Sequence, residues 1–230
     1  MNYSEKIKSF DETLCRFKMF SKDWQERDKE LASRFNLFSI LKIEWKEALV
    51  HTPLLANLLN PRGTHSQGSL FYDEFIKTIL PENECGFFLD IIPEYLEIKD
   101  EKNTGDGQID ILIYSKNKDK SFVIVIENKI FASDQYQQLK RYYDYATKSF
   151  GTKVGNVKLV YLTPFQSMPN DESLEKTLKQ ELINSKTLLI ISYREHIIIW
   201  LRKCVPLVKA PVVQYALKQY LLTVENLCYG

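Results

Sequence analysis

Residues 105–129, GDGQIDILIYSKNKDKSFVIVIENK, place charged side chains in two stretches that otherwise have the composition of buried strands. The runs ILIY and FVIVI are rich in β-branched and aromatic residues, which is typical of strands buried on both faces. Asp110 interrupts the first strand, and Glu127 and Lys129 end the second. Side chains two residues apart lie on the same face of a strand, so Glu127 and Lys129 are predicted to point the same way. Buried charges are normally paired or bound to metal, and the pattern therefore predicts a site.

The polar segment between the two strands, SKNKDK, is suited to a tight reversal and predicts a hairpin. If the last four residues of that segment close the hairpin, Asp110 lies opposite Glu127, with Cβ atoms roughly 5 Å apart. Two carboxylates this close repel each other unless a proton or a cation lies between them. A hard divalent cation such as Mg²⁺ takes oxygen ligands and keeps several waters. We therefore expect a metal site here, with the Lys129 ammonium at its outer edge.

An Asp followed by Glu-X-Lys on a hairpin resembles the PD-(D/E)XK nuclease superfamily. Gln138-Leu-Lys-Arg-Tyr142 is similar to the Gln-X-X-X-Tyr signature that some branches carry on the next helix. The resemblance extends over about residues 44–145 and implies a restriction-endonuclease-like core. It also implies a metal-dependent nuclease that hydrolyses phosphodiester bonds in DNA, with RNA as the less favoured substrate.

The region upstream of the hairpin resembles the first helix and loop of a bacterial branch of this superfamily. The matching residues are His51–Pro61 (HTPLLANLLNP), Gly63, His65 and Gly68. The family carboxylate expected three residues before His51 falls on Ala48, which leaves Glu47 or Glu44 for that role. Glu44, Glu47 and His51 have the spacing of one helical face. We favour Glu47, with Glu44 as its rival and a surface ion pair as the alternative, and expect a structural role for His51.

The implied mechanism assigns a role to each residue of the motif. The candidate ligands of Mg²⁺, or of Mn²⁺ in its place, all offer oxygen atoms: Asp110, Glu127, the backbone carbonyl of Asn128, and Glu47 directly or through water. Lys129 would position the attacking water and stabilise the developing negative charge. Gln138 would hydrogen-bond a phosphate oxygen or that water, unless it is a solvent-facing residue.

The residues after the hairpin are locally basic, although the whole chain has a net charge of only +1. Residues 129–158 contain six basic and two acidic residues. This composition is compatible with a cradle for phosphates or with an ordinary solvated helix face. The candidate nucleic-acid contacts are Lys140, Arg141, Tyr142 and His65, and the tyrosines and the histidine are also plausible packing residues.

The composition of the 230 residues is that of a globular protein with one substantial core. No apolar run approaches the roughly 20 residues that span a bilayer, and MNYSEKIKSFDETL lacks the apolar core of a signal peptide. The four cysteines are scattered without a C-x-x-C pair, which argues against zinc and for reduced thiols. We therefore expect a cytoplasmic protein that does not contact membranes.

Hydrophobic periodicity predicts an α/β fold in which helices flank a mixed central sheet, after an α-helical N-terminal region. The predicted helices cover residues 3–35, 38–59, 70–80, 134–149, 171–184, 194–204 and 210–227. The predicted strands cover residues 94–101, 108–115, 121–129, 157–163 and 187–193. One domain is expected over 1–230, comprising a helical extension (1–37), a catalytic core (38–165) and a C-terminal α/β completion (166–230).

Two other functions are compatible with the same pattern. One is a nucleic-acid-binding module that has kept the fold without turnover, because a fold does not fix a function. The other is a defence or toxin nuclease that a partner protein controls. The intact set of Asp110, Glu127 and Lys129 favours an enzyme, since a decayed site would have lost one of them.

Overall fold

One mixed five-stranded sheet lies at the centre of the fold. The computed structural model describes residues 3–32, 34–150 and 156–230. The strands follow one another across the sheet in chain order: β1 (Leu96–Asn103), β2 (Gln108–Ser115), β3 (Val123–Asn128), β4 (Val157–Thr163) and β5 (Leu188–Ser192). β1, β2 and β3 are antiparallel, whereas β3, β4 and β5 are parallel. The predicted mixed sheet is confirmed, and β3 is the strand at which its direction pattern changes.

Helices pack on both faces of this sheet. They are α1 (Tyr3–Leu31), α2 (Leu37–Ile40), α3 (Thr52–Leu59), α4 (Leu70–Ile79), α5 (Glu82–Leu89), α6 (Gln138–Phe150), α7 (Lys176–Asn184), α8 (Ile198–Cys204) and α9 (Pro211–Tyr229). Two π-helical turns, Glu47–His51 and Tyr193–Ile197, lead directly into α3 and α8. The sequence analysis did not predict α5, because its ENECGFFL sequence contains an interior glycine and little helical periodicity.

The predicted hairpin register is confirmed. Ile111 of β2 lies opposite Ile126 of β3, and this register continues to bring Asp110 beside Glu127. Ile109 and Ile111 belong to cores on opposite sides of the sheet, although strict alternation would put both on one face. The regular pleat of β2 is therefore interrupted at the residue that carries the carboxylate.

The single helix predicted over residues 38–59 is wrong. α2 ends at Ile40, and a turn follows in which Lys42 has φ 55°. The chain becomes helical again only at the π-helical turn that begins at Glu47. Glu44 lies in the intervening turn, so Glu44 and Glu47 do not share one helical face. Apolar periodicity hid this break, because neither glycine nor proline marks it.

Each face of the sheet has its own apolar core. On one face, strand residues such as Ile113 and Ile124 pack with α3, α4, α8 and α9, where the buried Trp200 indole donates to the Phe71 carbonyl at 2.9 Å. On the other face, residues such as Val125 pack against α6 and α7. The end of β3 therefore lies between two packed layers, and its side chains can be positioned from either side.

The α-helical N-terminal region is confirmed by α1. None of the α1 side chains that the structure describes is buried. Within the described ranges, no helix has both the length and the apolar character needed to cross a membrane. All four cysteines are free thiols, and three of them are buried. The proposed division of the chain into extension, core and completion stays a prediction.

Candidate active site

Asp110, near the beginning of β2, lies beside Glu127, near the end of β3. Asp110 Oδ2 accepts a hydrogen bond from the backbone N–H of Asn128 at 2.7 Å, which ties the carboxylate to the neighbouring strand. Glu127 is only 1% exposed. The antiparallel register explains why they meet, because Asp110 and Glu127 form the next pair after Ile111 and Ile126. Two acidic groups are thus held together in a largely buried position.

One carboxylate oxygen of Glu127 accepts two hydrogen bonds, and the other accepts none in the described part of the chain. Oε1 accepts from the Lys129 ammonium at 2.8 Å and from the Gln138 amide at 2.7 Å. Oε2 is buried and has no hydrogen-bond partner in the described part of the chain. A buried carboxylate oxygen without a partner costs free energy, and such positions call for a ligand.

Burial and mutual repulsion shift the ionisation of these groups. Burial raises the pKa of Asp110 to about 6, the bond from Asn128 opposes this, and the charge of Glu47 adds to it. Burial and then the charge of Asp110 raise the pKa of Glu127 well above its usual value. Burial lowers the pKa of Lys129, but the surrounding carboxylates outweigh it and the net pKa is raised. Both shifts favour protonation of the carboxyls in the absence of a cation, and a bound divalent cation would oppose it.

Glu47 approaches this cluster from outside the sheet. Its Oε2 accepts from the backbone N–H of Ile130 at 2.5 Å, directly after the Glu-X-Lys motif. Its charge raises the pKa of both Asp110 and Glu127, which places it electrostatically in the same cluster. Glu44, the rival, has one buried carboxylate oxygen without a partner. Glu44 contributes its backbone carbonyl as an acceptor for His51 Nε2 at 2.9 Å.

The Asn128 side chain points to the face of β3 opposite the one that carries Glu127. Its Nδ2 donates to Thr52 Oγ1 at 3.1 Å, and its Oδ1 accepts from the Tyr193 hydroxyl at 2.8 Å. All three residues are almost completely buried. The supporting role of Thr52 and Tyr193 was not predicted from the sequence. Thr52 lies within the predicted helix 38–59 and Tyr193 ends the predicted strand 187–193, and a hydroxyl in such a place has many explanations.

His51 is buried on the same face of the sheet as the Asn128 side chain, and its contacts are those of a packing residue. Its Nδ1 accepts from the Tyr220 hydroxyl at 3.0 Å, and its ring packs edge-on against Tyr193 at a centroid distance of 5.4 Å. Burial lowers the pKa of His51, which keeps the imidazole neutral. The histidine thus fixes α9 and the chain before Glu47 to one another.

Gln138 and Tyr142 act on Glu127 from α6. Gln138 is buried, and its Nε2 also contacts the Tyr142 hydroxyl at 3.3 Å. The Tyr142 hydroxyl donates to the Gln108 carbonyl at 2.5 Å, at the beginning of β2. The Gln-X-X-X-Tyr pair therefore orients the carboxylate and ties α6 to the hairpin. A direct nucleic-acid contact by Tyr142 is not available in this geometry, because the ring is 1% exposed.

The basic segment forms no continuous cationic surface. Lys129 and Lys158 are buried, and Lys158 is paired with Glu84 at 3.4 Å. Lys140 is paired with Asp144 at 2.6 Å and is partly exposed. The Arg141 guanidinium donates to the Tyr136 carbonyl beside the site. Among the described basic residues of this segment, Lys140, Arg141 and Lys148 are at least partly exposed, while Lys153 lies outside the described residues.

His65 is held within its loop. It is 4% exposed, its Nε2 bonds the Asn60 carbonyl at 2.9 Å, and its Nδ1 accepts from the Gln67 N–H at 3.0 Å. Both ring nitrogens are therefore occupied. The phosphate contact that we considered for His65 has no free nitrogen to make it.

The arrangement offers oxygen ligands rather than a complete metal cage. Among the described residues, no three histidine, cysteine, aspartate or glutamate side chains are grouped closely enough to hold a metal ion. Asp110 and the bare oxygen of Glu127 still provide the hard, anionic donors that Mg²⁺ and Mn²⁺ prefer. A cation held by two carboxylates, one carbonyl and several waters fits this donor set.

Comparison with protein-family models matches residues 35–222 to the PD-(D/E)XK nuclease superfamily. No curated protein and no solved structure matches the chain at a significant level. The family match spans most of the chain, including the hairpin, α6 and Glu47. The chain therefore belongs to the PD-(D/E)XK nuclease superfamily, and its sheet and helices have the restriction-endonuclease-like arrangement.

Proposed function

We propose that this member of the PD-(D/E)XK nuclease superfamily hydrolyses phosphodiester bonds in DNA, with Mg²⁺ as its cofactor and Mn²⁺ as a substitute. The observation that carries the proposal is the bare, buried Oε2 of Glu127 beside Asp110 and Lys129. In the metal-free protein the raised pKa values let the two neighbouring carboxyls share a proton, and a bound cation would take the place of that proton. A ligand site explains why one oxygen is left open.

Asp110, Glu127 and the backbone carbonyl of Asn128 would hold the cation, with Glu47 as an outer ligand. A bound divalent cation lowers the pKa of a coordinated water and offsets the negative charge of the transition state. The hydrogen bond from the Asn128 N–H fixes one oxygen of Asp110, and the Asp110 carboxyl also interacts with that of Glu127, so the two groups would share the cation. Glu47 is anchored to the Ile130 N–H, so it can fix the position of the chain beside the ligands.

Lys129 supplies the positive charge next to the reacting phosphate. Its ammonium is 2.8 Å from Glu127 and is kept protonated by the surrounding carboxylates. An ammonium in a water-poor site stabilises developing negative charge more strongly than it would in bulk water. Lys129 would therefore position the attacking water and stabilise the phosphorane-like transition state.

Gln138 acts through Glu127 in this proposal. Its amide donates to the carboxylate, and its own oxygen accepts from the backbone N–H of Gln135 at 3.1 Å. Both ends of the amide are thus committed to the protein. Gln138 would hold the orientation of Glu127, in place of the phosphate or water contact that the sequence suggested, and such supporting bonds tune ligand geometry.

The direct test is cleavage of nucleic acid by the purified protein. Plasmid DNA, linear duplex, single-stranded DNA and RNA are incubated with Mg²⁺, with Mn²⁺ and with EDTA. We expect cleavage of DNA that requires the divalent cation and is lost in Glu127→Gln. Glu84→Gln is the matched control, because Glu84 also accepts from lysine side chains but lies elsewhere. Cation-independent cutting, or equal activity of Glu127→Gln, would contradict the proposal.

A partner-controlled nuclease is the second candidate. It is favoured by the exposed apolar side chains of α1, among them Phe10, Phe17 and Trp24. Large apolar side chains repeated every seven residues are typical of a helix face that pairs with another helix. This candidate predicts that the isolated protein with Mg²⁺ is inactive until a partner is added. A catalytically inactive binding module predicts that DNA binds but is never cut.

A further inference from the structure

Two aromatic side chains lie exposed beside the candidate site. Trp45 and Phe131 are 45% and 71% exposed, and their ring centroids are 5.7 Å apart with an interplanar angle of 52°. Rings of this size are usually buried, and a pair in mutual contact leaves apolar surface facing water. Each ring of the pair therefore offers an exposed aromatic face to a ligand.

The pair joins the two segments that build the site. Trp45 lies two residues before Glu47, and Phe131 directly follows Ile130, whose N–H binds Glu47 at 2.5 Å. The backbone of Phe131 is within about 7 Å of the backbone of Lys129, because Phe131 follows Lys129 by only two positions. A ligand on the rings would therefore lie close to the chain segments that carry Lys129 and Glu47.

The loop that carries Phe131 is fixed in place. Asp134 accepts from the Tyr161 hydroxyl at 2.8 Å and from the backbone N–H of Asn170 at 2.8 Å. These bonds tie the loop after β3 to β4 and to the segment before α7. A surface that is already ordered loses little conformational entropy when a ligand binds.

Unpaired cations accompany the rings. Lys42 and Lys46 are exposed and lie on either side of Trp45 in the sequence. In the described part of the structure, neither lysine takes part in an ion pair. Aromatic rings interleaved with free basic side chains are typical of surfaces that bind single-stranded nucleic acid, where bases stack on rings and phosphates meet cations.

We propose that Trp45 and Phe131 form a stacking platform for an unpaired base next to the scissile phosphate. The substrate class is then single-stranded DNA, or DNA in which the bases at the cut are unpaired. Bases inside a duplex are covered by their neighbours and reach a protein ring only after they leave the stack. This inference rests on the proposed nuclease function, because it gives the platform its place beside the cut.

Binding without cleavage is measured first, with Ca²⁺ in place of Mg²⁺. In a Trp24→Phe background the remaining tryptophans are Trp45 and the fully buried Trp200, so contact quenching reports on Trp45. We expect a single-stranded oligothymidylate to quench this fluorescence, and Phe131→Ala to weaken its affinity about tenfold. Tyr215→Ala is the control, since Tyr215 is an equally exposed ring on α9. Absence of quenching, as expected if a protein partner covers the rings, would overturn the platform.

Cleavage is then compared on one sequence presented as a single strand, as a perfect duplex and as a duplex with an internal unpaired bubble. The platform predicts faster cutting of the single strand and within the bubble, and about tenfold slower cutting of both by Trp45→Ala and Phe131→Ala. Equal cutting of all three substrates, unchanged in these variants, would overturn the platform and leave the nuclease function standing. If wild type cuts nothing but oligothymidylate still quenches Trp45, the nuclease proposal fails and the platform remains.

Discussion

Buried polar side chains on the two faces of β3, at its carboxyl end, differ in how completely they are hydrogen-bonded. On one face, the Asn128 side chain is bonded at both ends, to Thr52 and to Tyr193. On the other face, Glu127 keeps one buried oxygen without a partner, and burial raises the pKa of both Glu127 and Asp110. Adjacent residues of one strand therefore have different energetic roles.

The difference separates a structural polar group from a functional one. A buried polar group with all its hydrogen bonds made stabilises a unique packing arrangement. A buried carboxylate with an open oxygen lowers the stability of the fold, and it is retained where a ligand completes it. Substitutions on the two faces should accordingly affect activity and stability in opposite proportions.

The largest expected effect is on activity, at the open face. Asp110→Asn, Glu127→Gln and Lys129→Ala should each lower DNA cleavage by about 100-fold or more, because each removes a ligand or the charge beside the reacting phosphate. The free energy of unfolding should stay similar or rise in Asp110→Asn, because the repulsion with Glu127 is relieved, and should fall in Lys129→Ala, which leaves Glu127 without its buried partner. Cleavage assays and denaturant unfolding on the same preparations check this. Loss of stability in parallel with activity at Glu127→Gln would place Glu127 with the structural groups.

The largest expected effect on stability is at the satisfied face. Asn128→Ala removes the buried hydrogen bonds to the hydroxyls of Thr52 and Tyr193 and should cost about 1–3 kcal/mol, since Tyr193 keeps its bond with Tyr220. The backbone carbonyl that we assign to the cation is kept, so the folded fraction should still bind Mn²⁺. Asn184→Ala, at the exposed end of α7, is the control and should change stability by less than about 0.5 kcal/mol. A neutral Asn128→Ala would show that this network does not hold the strand.

An intermediate effect on cleavage is expected from Glu47, in the π-helical turn beside the site. Glu47→Gln should weaken catalysis about 10- to 100-fold, because Glu47 orients the chain around the ligands, and should leave one cation bound by Asp110 and Glu127. Glu44→Gln should leave cleavage unchanged. Calorimetric titration of Mn²⁺ into wild type and both variants gives the number of sites. Impairment by Glu44→Gln alone would transfer the role to Glu44, whose buried oxygen is also unpartnered.

The smallest expected effect is a pH dependence of stability in the metal-free protein. The pKa of Asp110 is raised from 3.8 to about 6, so its contribution to stability is fully present below pH 3.8 and is lost as the pH rises through 6. Wild type in EDTA should therefore lose stability relative to Asp110→Asn between about pH 4 and pH 7. Mg²⁺ should remove this difference. Thermal denaturation of the two proteins at several pH values measures it, and parallel curves would show that the Asp110 pKa is not shifted.

The hairpin could be predicted from sequence because all its determinants are local. A polar reversal of fixed length and two β-branched strands are enough to set the register that brings Asp110 beside Glu127. The same reasoning failed over residues 38–59, where apolar periodicity continues through a turn that contains a left-handed Lys42. Local patterns thus located the carboxylates of the sheet better than the helix that supports them.

The functions of side chains that contact distant parts of the chain could not be predicted in this way. Gln138 was expected to meet substrate, but its amide is bonded to Glu127 across the space between α6 and β3. Lys158 was one of the six basic residues of the segment for which a phosphate cradle was considered, yet it is buried beside Glu84, a residue 74 positions away. The partners of Asn128 are likewise set by packing. Which buried polar atom is left without a hydrogen-bond partner is decided only when the core is assembled.

The most direct test of the central claim is a crystal of the protein soaked in Mn²⁺, with anomalous scattering recorded at the manganese edge. The account predicts one strong peak within coordination distance of Asp110, of Glu127 Oε2 and of the Asn128 carbonyl. It predicts no peak at this position in Glu127→Gln under the same soak. A well-diffracting wild-type crystal at saturating Mn²⁺ with no peak between Asp110 and Glu127 would contradict the account.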